Sequence, residues 1–254
     1  MNKLLITVTA LMLLVSGSAH AALVGHWALD DGSGTTASDS SGNGNTGTLN
    51  GDTAWTTGHI GSGAAAFDGT GDYINVPDSA SLAVSTGITV AFWVNFASNP
   101  GGQKPLVGQA ASLSSTTGWS VSLLTTGGIN ASQGVTGGVG GNNKQLTSTG
   151  TAGTGSWQHI AYVGQISGGN LIMTIFINGI ASGTQTVTAT ALADSTAALR
   201  LGNIQTTYYT GSLDDVSVYN NALSEAEIKA LIPEPATVCL LGLGALALLR
   251  RRSA

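Results

Sequence analysis

Between positions 88 and 96 the apolar residues fall on every second place. Ile88, Val90, Phe92, Val94 and Phe96 share one side of an extended chain, while Thr89, Ala91, Trp93 and Asn95 share the other. Side chains alternate across a strand, so this spacing predicts a strand with one fully apolar face. Shorter β-branched and aromatic runs recur at 23–29, 73–76, 119–124, 157–163, 171–178, 199–202 and 213–219. Clusters of Gly, Asn, Asp and Ser separate them and mark turns. Asn178-Gly179, between two apolar runs, is the strongest hairpin signal in the chain. Residues 125–155 are rich in Gly, Ser, Thr and Asn and read as hairpin loops with an edge strand. No repeat of solenoid or propeller length is present.

One helix interrupts this pattern, at residues 224–231. Ser224 can cap it and Glu227 follows at the capping-box distance, while Leu223 and Ile228 are spaced as a hydrophobic staple. Glu225 and Glu227 suit the positive end of the helix dipole, and Lys229 suits the other end.

The two ends of the chain follow a different rule. Lys3, an apolar stretch over residues 4–15 and Ala19-His20-Ala21 form a secretory signal with a small-X-small cleavage site at Ala19 and Ala21. At the other end stand Pro233-Glu234-Pro235, an apolar run over 238–249 and Arg250-Arg251-Arg252. Proline fixes φ and removes a donor, so the Pro-Glu-Pro segment stops any helix before it. The apolar run, if helical, is roughly 18 Å long, short of the ~30 Å hydrocarbon core. The arginines would remain on the cytoplasmic side. This order of parts resembles the PEP-CTERM sorting tail of Gram-negative bacteria. The resemblance implies recognition and removal by exosortase, with transient inner-membrane anchoring and then a place on the cell surface or in the extracellular matrix. The division expected is a signal peptide at 1–21, one all-β domain at 22–232 and a sorting tail at 233–254. Membrane contact is confined to the terminal segments.

Charge changes the picture by its scarcity. Charged residues make up 8% of the chain, far below the ~25% of ordinary soluble domains. Between 22 and 232 there are four basic residues (Lys104, Lys144, Arg200 and Lys229) against twelve acidic ones. This balance excludes nucleic acid as a partner, which needs a basic footprint. The surface must be built from Ser, Thr, Asn, Gln and Gly, a neutral polar composition that suits glycans. The single cysteine, Cys239, lies in the tail. The domain therefore has no disulfide, no thiol nucleophile and no thiolate metal site.

Three segments carry a second resemblance. They are Val24-Gly25-His26-Trp27-Ala28-Leu29-Asp30-Asp31-Gly32-Ser33-Gly34, continuing through Asp39 to Asn45; Ala66-Phe67-Asp68-Gly69-Thr70-Gly71-Asp72-Tyr73-Ile74-Asn75-Val76-Pro77; and Gly211-Ser212-Leu213-Asp214-Asp215-Val216-Ser217-Val218-Tyr219. In order and spacing they resemble the LamG-like branch of the concanavalin A-like lectin/glucanase superfamily. The resemblance implies an all-β jelly roll of two facing antiparallel sheets, with a concave face that relatives use for glycans. It also implies a structural Ca²⁺ near the first loop and the closing strand, where Asp39 and Asp214 stand with Asn43 beside them. Calcium takes six to eight oxygen ligands; the same residues also serve as ordinary turn formers. Asp68-Gly69-Thr70-Gly71-Asp72 is oxygen-rich too, but reads first as a tight turn.

Aromatic residues within strand runs, among them Trp27, Phe67, Tyr73, Phe92, Trp93, Trp157 and Tyr219, are expected in the core. Trp55, Trp119 and Tyr208 border Gly/Thr-rich segments and are the candidates for stacking on sugar rings; Tyr209 is open to either role. Glycoside hydrolysis needs a carboxylate pair at a set separation, yet no glutamate occurs between Ala22 and Ser224. Asp214 and Asp215 are adjacent and would face opposite sides of a strand. No G-X-S-X-G elbow is present. His26, His59 and His159 are scattered in sequence and read as structural. The expectation is an exported, non-catalytic, lectin-like protein whose partner is a polysaccharide. The alternative is an adhesion protein that contacts other surface proteins.

Overall fold

A computed structural model describes residues 22–233. The apolar segment at 4–15, the cleavage residues Ala19 and Ala21, Glu234, Pro235, Cys239 and the Arg250–Arg252 block lie outside the described residues. The described chain forms two large antiparallel sheets. In the first, the strands run Ile180–Thr188, Asn170–Ile177, Gln158–Ser167, Gly87–Asn95, Thr210–Tyr219, Ala64–Asp68 and Ala54–Thr56, with Leu23–Trp27 also paired to Thr210–Tyr219. In the second they run Asn143–Thr151, Gly128–Thr136, Trp119–Leu123, Lys104–Gln109, Leu199–Leu201, Tyr73–Val76, Gly47–Asn50 and Thr36–Ala37. This is the expected two-sheet jelly-roll sandwich.

The alternation at 88–96 explains the core. Ile88, Val90, Phe92, Val94 and Phe96 all face inward and share one buried core with Val121, Leu123, Ile129 and Ala131 of the opposite sheet's strands. One polar bond crosses this interior: the buried Tyr162 hydroxyl donates to Gln133 Oε1 at 3.3 Å. Asn178 and Gly179 both adopt positive φ, 51° and 74°. That is the backbone the two-residue hairpin between Ile177 and Ile180 requires.

In the segment 125–155, Asn143–Thr151 is the expected edge strand, but the residues before it depart from the expectation. Gly128–Thr136 is a long strand paired on both sides, and residues 128–135 are buried. Its inward face holds Ile129, Ala131, Gln133 and Val135, and Gly128, Asn130, Ser132 and Gly134 occupy the alternate positions. Mean apolarity is therefore low although the strand is central.

The helix spans Glu225–Ala230 with the capping box in place: Ser224 Oγ accepts from Glu227 N, and Glu227 Oε2 accepts from Ser224 N at 2.7 Å. Leu223 and Ile228 pack with Ala91, Ala161, Val163 and Phe176. The helix thus seals one half of the outward face of the first sheet.

His26 joins three parts of the chain. Its Nε2 lies 2.7 Å from Asp215 Oδ1 in the closing strand, and its Nδ1 lies 2.6 Å from Ser40 Oγ in the first loop. The bond to Asp215 raises the His26 pKa; burial opposes it, and the charges of Asp215 and Asp39 add to it. A protonated ring donates from both nitrogens, which suits both contacts. The serine–histidine–aspartate order resembles a catalytic triad, but the amides beside the serine are spent. Ser40 N donates to His26 O and Ser41 N donates to Asp39. No oxyanion pocket is built from them, and the trio acts as a clamp.

Ser224→Ala removes the cap and should cost about 1 kcal/mol, with Ser224→Gly costing only a few tenths; equal losses in a urea titration would contradict the cap. His26 gives a pH-dependent expectation. Its folded pKa is raised, so its stabilisation is complete below the unfolded value of about 6.5 and is lost as pH rises through the folded value. His159 acts in the opposite direction: burial lowers its pKa to about 4, so it penalises folding as pH falls from about 6.5 toward 4. The Tm gap between the protein and His26→Gln should therefore shrink as pH rises from 6 to 9. A constant gap would rule out the ion pair.

Candidate functional site on the outward face of the second sheet

The outward face of the second sheet is polar from edge to edge. Register partners place Thr36, Thr48, Asn75, Arg200, Gly108, Ser120, Ser132 and Gln145 in one row across eight strands. Strands lie about 4.8 Å apart, so the row is about 34 Å long. Each member is polar or glycine, while strand neighbours such as Leu49, Ile74, Leu199, Leu201 and Val121 turn into the core. In a second row Ser122, Asn130 and Thr147 are in register, and the row ends on Pro105.

The middle of the face is roofed. The short hairpin of Asn203–Ile204 and Thr207–Tyr208 lies over Lys104–Gln109, and a Cβ on Gly108 would stand 2.9 Å from Ile204 Cδ1. Such a Cβ would also meet Ser120 Cβ at 2.9 Å and Trp119 O at 3.0 Å, so glycine suits the position. The 110–117 segment folds back near Gly134, and Asn143 Nδ2 donates to both Ser115 O (2.6 Å) and Ser132 Oγ (2.7 Å). Ser120, Ser122, Asn130 and Ser132 are consequently buried although they point away from the core. Ser122 Oγ has no partner. Solvent reaches the two ends of the row, at Thr36–Thr48–Asn75–Arg200 and at Gln145 and Thr147.

The first of these ends is the richer. The Arg200 guanidinium lies 4.8 Å over the Tyr73 ring, and Nη1 donates to Asn203 Oδ1 at 2.8 Å. Asn203 is itself buried and held by Gln205 O and Thr207 O. A 310 Å³ cavity opens beside Arg200, walled by Ala110, Ala111, Ala197, Ala198 and Gln205. Just before Tyr73 stands an acidic group. Asp52, Asp68 and Asp72 bring carboxylate oxygens within 4.8 Å of one another and can hold a metal. Asp72 already accepts from Asp52 N (2.9 Å) and Asp68 N (2.8 Å), and burial raises its pKa.

The residues singled out from sequence fall in different places. Tyr208 is half-buried in the roofing hairpin. Trp119 is corrected: it faces the core, is 1% exposed and cannot stack on a ligand, because positions 119, 121 and 123 are the inward members of their strand. Trp55 is half-buried on an edge strand of the other sheet, packs against the core and donates to Gly34 O at 2.9 Å. Tyr209 is core, its hydroxyl bonded to Asn95 O.

The implied calcium set does not fit. Asp39 accepts from His26 N, Ser41 N, Ser41 Oγ and Asn45 N at 2.7–3.0 Å. Burial works to raise its pKa, but these donors outweigh it and hold the carboxyl below its usual range. Asn43 donates to Leu23 O and Ser41 Oγ. Asp214 lies under a different loop, where Oδ2 accepts from His59 N and Ile60 N. Both acids are loop organisers. Pro233 closes the described chain, and the other sorting residues lie beyond it.

The histidines are less scattered in space than in sequence. Asp214, Trp93 and His159 stand in register on the outward face of the first sheet, and the His59 ring covers Trp93 at 4.0 Å. Asp214 Oδ1, Trp93 Nε1 and His159 Nδ1 are buried without partners. Burial raises the Asp214 pKa and lowers that of His159.

Sequence reading missed Arg200, Tyr73 and Asn75 as a set. Their alternation with Leu199, Leu201, Ile74 and Val76 was visible, but the register that joins three distant strands was not.

Several known structures share this architecture. The binding domain of Paraclostridial Mosquitocidal Protein 1 aligns with a TM-score of 0.65 at 18% identity, covering 82% of this chain and 51% of that one. The botulinum neurotoxin serotype G binding domain gives 0.64 at 17%, covering 82% and 50%. The chain thus spans about half the length of these toxin domains. Domain 4 of AbnA, a GH43 extracellular arabinanase from Geobacillus stearothermophilus solved in complex with arabinotriose, gives 0.58 at 22%, covering 84% and 99%. These likenesses speak to fold. No curated protein sequence matches the chain. Residues 231–253 match the PEP-CTERM protein-sorting motif, which implies export and exosortase sorting to the cell surface. Residues 68–229 match the model of the concanavalin A-like lectin/glucanases superfamily, and the chain belongs to that superfamily.

Proposed function

We propose that this is a non-catalytic polysaccharide-binding protein of the cell surface or extracellular matrix, and that it binds along the outward face of the second sheet. The open end of the polar row, where Thr36, Thr48, Asn75 and Arg200 stand side by side, carries this reading. Two hydroxyls, an amide and a guanidinium over about 14 Å suit a short stretch of a hydroxyl-rich chain. Tyr73 supplies rigid aromatic area at this end, and Tyr208 is the half-buried aromatic of the roofing hairpin. The structure of the AbnA domain with arabinotriose is consistent with sugar recognition on this fold. Fold likeness alone does not assign a ligand.

The adhesion alternative asks for something different. A protein–protein interface is built around an apolar or aromatic centre. Among the described residues the exposed large hydrophobics are Val139 and Ile180, on separate hairpins. The polar row is the better-developed surface. Catalysis lacks its groups: the described chain has no glutamate before Glu225, and its buried acids serve backbone amides. Signal cleavage after Ala21, the domain limits 22–232 and removal of the tail beginning at Pro233 complete the proposal.

Titration with the host's own extracellular polysaccharide tests this reading. Tyr208→Ala should weaken binding about thirtyfold, the loss of about 2 kcal/mol typical of a contact aromatic. Trp119→Ala should instead lower Tm through a core loss of about 3–5 kcal/mol and leave the affinity of the folded fraction unchanged. No reducing ends should appear. Failure to bind the polysaccharide, together with capture of a surface protein, would establish the adhesion role instead.

A further inference from the structure

The described residues include four cationic side chains, and their fates differ. Lys229 pairs with Glu225 at 2.6 Å. Lys144 is buried and donates to Val139 O at 2.6 Å. Lys104 and Arg200 have no carboxylate partner among the described residues, although acids outnumber bases twelve to four between 22 and 232. Both line cavities: Lys104 a 270 Å³ hollow with Asn99 and Tyr209, and Arg200 the 310 Å³ hollow at the open end of the polar row.

Arg200 is also preorganised. Its guanidinium carbon sits over the Tyr73 ring at 4.8 Å, and Asn203 takes one N–H. A guanidinium has five N–H donors in a planar fork that matches a carboxylate. The alanines around the cavity leave the room in front of it open. A single fork, rather than a basic field, does not suit a dense polyanion such as nucleic acid, whose binding needs many cations. It suits a chain that presents one carboxylate among many hydroxyls.

From this we infer that the ligand is an acidic polysaccharide, and that Arg200 binds the carboxylate of a uronic acid residue through its fork. The inference rests on the polysaccharide reading above and narrows it. Asn75 and Thr48 continue from Arg200 along the row and meet the neutral hydroxyls of the same chain. Lys104, in register with the inward-facing Leu123, lines a separate hollow with Tyr209 and Thr210 and is not part of this row.

The test uses the purified protein and the host's extracellular polysaccharide before and after carbodiimide-mediated carboxyl reduction. Reduction turns uronates into neutral hexoses and leaves sulfate esters intact. Binding should weaken at least tenfold on reduction. Arg200→Gln should bind the intact polymer as weakly as the native protein binds the reduced one, with no further loss when both changes are combined. Arg200→Lys, which keeps the charge without the fork, should fall between them. A Tm within a few degrees of the native protein certifies each variant as folded. Equal binding before and after reduction would overturn the acidic class while leaving a glycan-binding protein. Loss on reduction with Arg200→Gln unaffected would move the carboxylate to another site, including one bridged by a cation on the Asp triad. No binding to either polymer would overturn both readings.

Discussion

The sandwich depends on the way its last strand is held. Thr210–Tyr219 pairs with Ala64–Asp68 through its first half, with Leu23–Trp27 through its second, and with Gly87–Asn95 through both. The first and last described strands are therefore neighbours, and the first sheet closes only when the chain is nearly complete. The ladder breaks its register between Asp214 and Ser217, where Asp215 sits at a positive φ of 49°. This irregularity points the two adjacent acids at different tasks. Asp214 turns down over Trp93 to hold the amides of His59 and Ile60, while Asp215 reaches His26. One local distortion thus ties two loops and the N-terminal strand to the closing strand. Without disulfides in the domain, such long-range bonds have no covalent substitute.

The second sheet meets a different constraint. A face carrying Ser120, Ser122, Asn130 and Ser132 cannot be covered cheaply, since buried polar groups need partners. The roof meets part of that need through Asn143, which bridges Ser115 and Ser132. Ser122 Oγ stays without a partner. Glycine at 108 and 134 lets the roofing segments approach the sheet backbone closely. Small polar residues in this region permit close covering at the centre, and the longer polar side chains are left for the ends.

The sandwich was legible from sequence because it follows from local alternation. The strand at 88–96, the Asn178-Gly179 turn and the Ser224–Glu227 cap are each written within a few neighbouring residues, and each appears where expected. Gly128–Thr136 was hidden because its outward members are small and polar, so a central strand has the composition of a loop. Trp119 misled for a related reason. Its Gly/Thr-rich flank marked a loop, but strand parity decides the direction of a side chain, and 119 has the parity of Val121 and Leu123. The site was the least legible part. Thr48, Asn75 and Arg200 span more than 150 positions of the chain and become neighbours only through register.

The two outward faces also differ in how far they are committed to the fold. On the first sheet, the helix covers Ala91, Ala161, Val163 and Phe176. His59 covers Trp93, and Asp214 beneath it is fully buried. A ligand there would have to displace a loop that hydrogen bonds to a buried acid. On the second sheet, the end of the row at Thr48, Asn75 and Arg200 is open, and its guanidinium is already oriented by Tyr73 and Asn203. Binding there orders little that is not ordered beforehand, so less of the contact energy is lost to immobilising side chains. The free energy of ordering, more than the identity of any one residue, separates a face that completes the fold from one available for recognition.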